Sequence, residues 1–231
     1  MEKGFKANGK HTNDFGLILL ERSISPPAKK KIKETVPFMN GSYDFSELYG
    51  EHCYDERTIT YKFDVSDIAN QRLEYKIFDL QSWLLSEGEV KLYDDDFIGT
   101  YFKAECIDVT GKTEDWFGEV TFKFTAYPFR FSENNEGADI WDTFNFETDV
   151  AQEVKYIVSG SKEITLYNNG FIKAYPTIIC DNNMQLIKDN ITYNISSGVS
   201  KGYNFALKKG ENKITINGTG SIEFIFKKEV I

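Results

Sequence analysis

A chain of 231 residues, 41% hydrophobic and 15% aromatic, carries enough apolar side chain for one large β domain or two smaller ones. Its net charge of −9 is shared: residues 1–130 hold 17 basic and 23 acidic groups, net −6, and residues 131–231 hold 10 and 13, net −3. That balance argues against a nucleic-acid or anionic-membrane surface, which needs excess Lys and Arg, and five prolines with 17 glycines do not make a low-complexity chain.

The chain opens with a strand pair, GFKANGKHT, turning at Asn8-Gly9. An apolar strand is predicted from Phe15 to Leu20. Residues 26–37, PPAKKKIKETVP, place prolines around a run of lysines and read as an extended, exposed arm. A second Asn-Gly turn follows at 40–41. Residues 56–65, ERTITYKFDV, alternate with period two and put Ile59, Tyr61, Phe63 and Val65 on one face.

One helix is predicted, over about 67–87. Ser66 or Asp67 caps it, Leu73, Ile77, Leu80 and Leu84 form its apolar stripe, Phe78 and Trp83 widen or flank that stripe, and Gly88 stops it. Strands are then expected at 89–93, 97–109 and 116–130, with turns at Asp94-Asp95-Asp96 and near Thr110-Gly111 and an end at Tyr127-Pro128-Phe129. Val120, Phe122 and Phe124 share a face. The polar stretch at about 131–139 marks a boundary, so the reading is a mainly β chain with an N-terminal domain over 1–131 and a C-terminal domain over 132–231. Beyond it lie only strands, beginning with DTFNFETDV, and turns, at Gly160, Asn168-Asn169-Gly170, Asp181-Asn182-Asn183, Gly198, Gly210 and Gly218-Gly220. That rhythm is the signature of a sandwich or barrel.

Catalytic residues are not indicated. His11 and His52 are the two histidines, and His52-Cys53, neighbours on an extended chain, point to opposite sides. Cys53, Cys106 and Cys180 are odd in number, form no CxxC pair, and read as thiols of a reducing compartment. Asp94-Asp95-Asp96 and Asp181-Asn182-Asn183 read as turns before calcium sites. PPAKKKIK reads as a solvated arm, or as one that docks on an acidic neighbour. Trp116 and Trp141 read as core or interface before sugar platforms. No metal site, cofactor site or phosphate loop is expected. No apolar segment suits a signal peptide or a membrane span, so the sequons at Asn40, Asn190, Asn194 and Asn217 carry no weight.

The ordered segments GFKANGKHTNDFGL, VPFMNGSYDFSELYGEHCYDERTITYKFDV, GEVKLYDDDFIGTYFKAECID and FKFTAYPFRF, followed by NNGFIKAYPTIIC and GYNFALKKGENKITINGTGSIEFIFKKEVI, resemble the distal tail (Dit) proteins of long-tailed, non-contractile bacteriophages and related prophages. The resemblance spans nearly the whole chain. It implies an N-terminal, ring-forming β domain with one helix, a C-terminal galectin-like β-sandwich, and no catalytic residue. It also implies a homo-oligomeric ring, a hexamer, that joins the tail tube protein to tail-tip proteins at the tail tip of the virion and assembles in the bacterial host cytoplasm. DNA passing through such a lumen would be met by acidic groups without specific binding. In some family members an inserted module makes the host contact; this chain leaves no room for one. A carbohydrate-binding sandwich acting in host-surface adhesion is the alternative function.

Overall fold

A computed structural model describes residues 3–48, 50–65, 73–114, 117–137 and 150–231. The expectations placed on Ser66, Asp67, Trp116, Trp141 and nearly all of the strand at 142–150 fall outside these residues. Two compact units divide the chain: Met1–Arg130 with Ile231, and Phe131–Val230.

In the first unit, β1 (Phe5–Ala7) and β2 (Lys10–His11) form the expected hairpin. Asn8 and Gly9 turn it with φ of 45° and 75°, the positive values that a two-residue turn of this hand requires. The next strand begins later than predicted. Thr12–Phe15 is a turn of 3-10 helix, because the ring of His11 accepts the Asn13 N–H at 3.0 Å and the Asp14 carboxylate accepts the His11 N–H at 2.8 Å. β3 then runs Ile18–Ile24. A short ribbon pairs β4 (Lys33–Glu34) with β5 (Tyr43–Asp44). After it come β6 (Arg57–Asp64), α1 (Leu73–Leu84), β7 (Val90–Asp94), β8 (Thr100–Glu114) and β9 (Phe117–Ser132). The main sheet has the order β2-β1-β7-β8-β9-β6-β3.

Alternation in β6 and β9 builds the core. Antiparallel register places Ile59 opposite Phe124, Tyr61 opposite Phe122 and Phe63 opposite Val120, and all six are fully buried. Phe5 sits among them, its ring 4.7 Å from that of Tyr61, 5.3 Å from Phe122 and 5.4 Å from Phe124, the last two edge to face. Leu80, Trp83 and Leu84 of α1 close over this cluster, and Trp83 stacks on Phe5 at 5.7 Å. Phe78 does not widen the apolar stripe as expected: it is 61% exposed, as is most of Tyr75. The turn expected near Gly111 is absent, and β8 continues through it. There the glycine makes room for the helix, since a Cβ at Gly111 would lie 2.2 Å from Cδ1 of Ile77. Nor does Pro128 end β9. The ladder to β6 stops at the Arg57–Ala126 pair, so no N–H is asked of the proline, and its carbonyl accepts from the Arg57 guanidinium at 3.1 Å.

The second unit is a β-sandwich of β10 (Lys155–Asn168), β11 (Thr177–Cys180), β12 (Met184–Lys188), β13 (Ile191–Ile195), β14 (Gly198–Ser200) and β15 (Gly210–Ile225). The order is β13-β12-β15-β11-β14, with β10 also paired to β15. Two predicted turns prove to be bends in continuous strands. Gly160 of β10 lies opposite Gly218 of β15, with φ of 85° and 151°, so the strand pair folds at one place. On one side of the bend β15 pairs with β12, at Leu186–Ile216; on the other it pairs with β11, at Ile178–Phe224. One bent pair thus serves both layers. Its inward residues, Val158, Ile164, Leu166, Ile214, Ile216, Ile222 and Phe224, fill the space between them.

Asn168 anchors the following connection. Fully buried, it donates from Nδ2 to the carbonyls of Ile172 (2.9 Å) and Leu207 (3.0 Å) and accepts the Gly170 N–H at 2.9 Å. Asn212 clamps the turn before β15 in the same way, through the backbone of Lys208 and Gly210.

Candidate functional site

The three consecutive aspartates are occupied by the protein itself. Asp94, buried at the end of β7, accepts from the Tyr61 hydroxyl at 2.7 Å and from Arg22 at 2.8 Å. Asp95 accepts the Gly4 N–H at 2.8 Å and faces Nε2 of His11 at 3.2 Å. Asp96 pairs with Lys3 at 2.6 Å and Arg22 at 2.5 Å, and those hydrogen bonds hold its carboxyl below the usual carboxylate range. Burial and the Asp94 charge raise the Tyr61 hydroxyl well above its ordinary value. Burial would lower the Arg22 guanidinium, but Asp94 and Asp96 hold it above its usual value. The cluster joins β1, β3, β6 and β7 and leaves no carboxylate pair facing an open cavity. Among the described residues no group of three or more His, Cys, Asp or Glu is placed to hold a metal ion.

His52 and Cys53 form no dyad. The ring of His52 lies 3.2 Å from the Glu47 carboxylate, Cys53 is exposed, and its carbonyl accepts the Lys30 N–H at 2.9 Å. Asp181 accepts both the N–H (3.0 Å) and the hydroxyl (2.7 Å) of Ser221, while Asn182 donates to the Thr219 carbonyl at 2.8 Å. That segment is a turn tied to β15, and the two bonds from Ser221 lower the Asp181 carboxyl.

The arm carries the largest unexplained surface. Residues 28–34 run antiparallel to 43–55: Asp55 N–H bonds to Ala28, Lys30 to Cys53, and Phe45 to Ile32, at 2.9, 2.9 and 2.8 Å. Ser46, itself buried, accepts the Ile32 N–H at 2.9 Å, and its own N–H is accepted by Asp44 at 2.9 Å. Bonds from Ser46 lower the Asp44 carboxyl. The backbone is therefore fixed while the side chains are not covered. Ile32, Val36, Phe38, Tyr43, Phe45 and Leu48 are each at least 40% exposed. Phe38 is wholly in solvent with φ of 68°, a left-handed conformation that costs an aromatic residue about 1–3 kcal/mol. Such a density of bare apolar side chains on one ribbon marks an interaction surface. The lysines at 29, 30, 31 and 33 are exposed along the same ribbon, as expected of an arm. The apolar residues between and beyond them were missed in the sequence, although VPF at 36–38 directly after a proline-bracketed lysine run is a signal for them.

A family model described as a phage tail protein RIFT-related domain matches residues 11–126, just over half of the chain. No curated protein matches it. Among solved structures, the chain is similar to the Dit protein of phage SPP1, described as a paradigm of the hub adsorption apparatus in phages infecting Gram-positive bacteria. The TM-score is 0.69 at 15% identity, over 100% of both chains, so the likeness is one of fold. A chain of the phage P2 baseplate in its activated conformation with Ca matches with a TM-score of 0.47 and 10% identity, over 100% of this chain and 99% of that one.

Proposed function

The chain belongs to the phage tail proteins with a RIFT-related domain, and from that premise we propose that it is a structural hub of the tail tip. In this reading copies of the chain close a ring, a hexamer, between the tail tube protein and the tip or receptor-binding proteins. The ring assembles in the host cytoplasm and performs no catalysis. The observation that carries the reading is the arm: a backbone-locked ribbon bearing six large apolar side chains in solvent, with a strained phenylalanine among them. A ring of identical subunits joins two different surfaces head to tail, and such a ribbon is one half of that contact. Acidic groups on the lumen would keep DNA from adhering as it passes.

The test is size and shape in solution. The chain, alone and co-expressed with its tail tube protein, is measured by light scattering and imaged by negative-stain microscopy. Closed six-fold rings are expected. Phe38→Asp with Leu48→Asp should give monomers whose melting temperature matches the parent, because both side chains are exposed. Monomers under both conditions, or rings that persist in the double variant, would end the proposal.

A further inference from the structure

The second unit holds a cleft that ring assembly leaves without a role. Its volume is about 400 Å³, inside the range of small-ligand sites, about 300–1,000 Å³. It opens where the edge strands of the sandwich come together: β13 supplies Tyr193 and Asn194, β11 supplies Ile178, β14 supplies Ser200, and the connection after β14 supplies Lys201 and Asn204. Buried Phe205 also lines it, packed edge to face on Tyr193 at 5.1 Å. Two tyrosines flank the opening. Tyr203, between lining residues Gly202 and Asn204, is 86% exposed, and Tyr175, just before lining residue Pro176, is 43% exposed. Their rings meet edge to face at 5.1 Å.

The chemistry of this cleft selects its ligand. Tyrosine faces left bare beside a polar opening offer a platform for the C–H face of a sugar ring, at small entropic expense because the side chain is stiff. The amides of Asn194 and Asn204 and the hydroxyl of Ser200 both donate and accept, as sugar hydroxyls do. Asn194 is held for this by Gln185, whose Nε2 donates to its Oδ1 at 3.1 Å on the neighbouring strand. An apolar ligand would leave these groups unpaired, and a polyphosphate would meet one cation, Lys201. No carboxylate lines the cleft. We propose that the cleft binds a saccharide of one or two rings and prefers an anionic sugar over a cationic one.

Saturation-transfer NMR on the full-length chain tests this, with glucose, galactose, N-acetylglucosamine, glucuronate and glucosamine as the probes. Transfer is expected to at least one of them with a Kd on the order of 1 mM, and to glucuronate more than to glucosamine. Tyr203→Ala should weaken binding about tenfold, and Asn204→Ala should also weaken it, while Tyr203→Phe retains it; none of these should change the melting temperature or the oligomeric state. Absence of transfer from all five sugars, or transfer that is undiminished in Tyr203→Ala, overturns the assignment. Because oligomeric state is read on the same samples, the two proposals succeed or fail separately.

Discussion

Replacing Asn168 with alanine tests whether one buried side chain holds the connection after β10. Three backbone groups lose their partner: the Ile172 carbonyl, the Leu207 carbonyl and the Gly170 N–H. The Leu207 carbonyl also accepts from Ala174 at 3.0 Å and stays satisfied. Two groups remain uncompensated, and at about 1–3 kcal/mol each the loss is about 2–6 kcal/mol. That is a large part of the roughly 5–15 kcal/mol that keeps a typical domain folded. Asn168→Asp sharpens the test. It preserves the acceptor for Gly170 but sets an oxygen against two carbonyls, so burial and that arrangement raise the pKa of the new carboxyl above its unfolded value. The protonated form restores the donor. The deficit of this variant should therefore be greatest at neutral pH and shrink as pH falls through the raised value. Urea denaturation followed by circular dichroism at several pH values measures both variants. A loss under about 0.5 kcal/mol in Asn168→Ala, below what one hydrogen bond contributes, would refute the reasoning, as would a pH-independent deficit in Asn168→Asp.

Thiol chemistry should separate the cysteines. Cys53 is exposed, whereas burial raises the Cys106 thiol to about 11 and also raises that of Cys180. A chromogenic disulfide at pH about 8 should titrate a single fast thiol in the native chain and three after denaturation; fast reaction of a second native thiol would contradict the burial. At Gly111, alanine should displace Ile77 and lower the melting temperature, and Ile77→Val in the same chain should recover part of the loss. If the two effects simply add, the close approach is not the cause. Acid should weaken the fold through Asp96, held low first by Lys3, and Asp181, held low by Ser221. Their contribution is complete above about pH 4 and lost as pH falls through the lowered values. Asp181→Asn should flatten that decline in thermal melts; an unchanged acid slope would remove Asp181 from the account.

The sequence was most legible where side-chain period and burial coincide. Alternation in 56–65 and 120–124 marks the inward faces, because a half-buried strand must place Ile59, Tyr61 and Phe63 on one side. The Asn8-Gly9 turn was equally plain, since few dipeptides accept two positive φ values. Glycine was ambiguous. Gly111, Gly160 and Gly218 read as turns, yet each lies within a continuous strand. Whether a glycine reverses a chain or bends it depends on the strand opposite, and for Gly160 that partner lies at Gly218, far along the sequence. The aspartate run was also ambiguous by itself, because its partners Lys3, Arg22 and Tyr61 come from other strands. The sandwich cleft had no local signal at all. Its walls are drawn from β11, β13 and β14, and Tyr203 is one of many tyrosines until Tyr175 is brought against it.

The bent strand pair gives the second unit a direction of mechanical strength. Lys155, at the start of β10, faces Glu223 near the end of β15, and the ladder runs from there to Asn168 and Gly210. A pull applied through the chain at the two ends of the unit thus enters the ladder at one end and peels it rung by rung. A load delivered through the layers, by contrast, must shear every rung at once. Such a unit resists force that reaches it through its faces and yields to force along its own backbone.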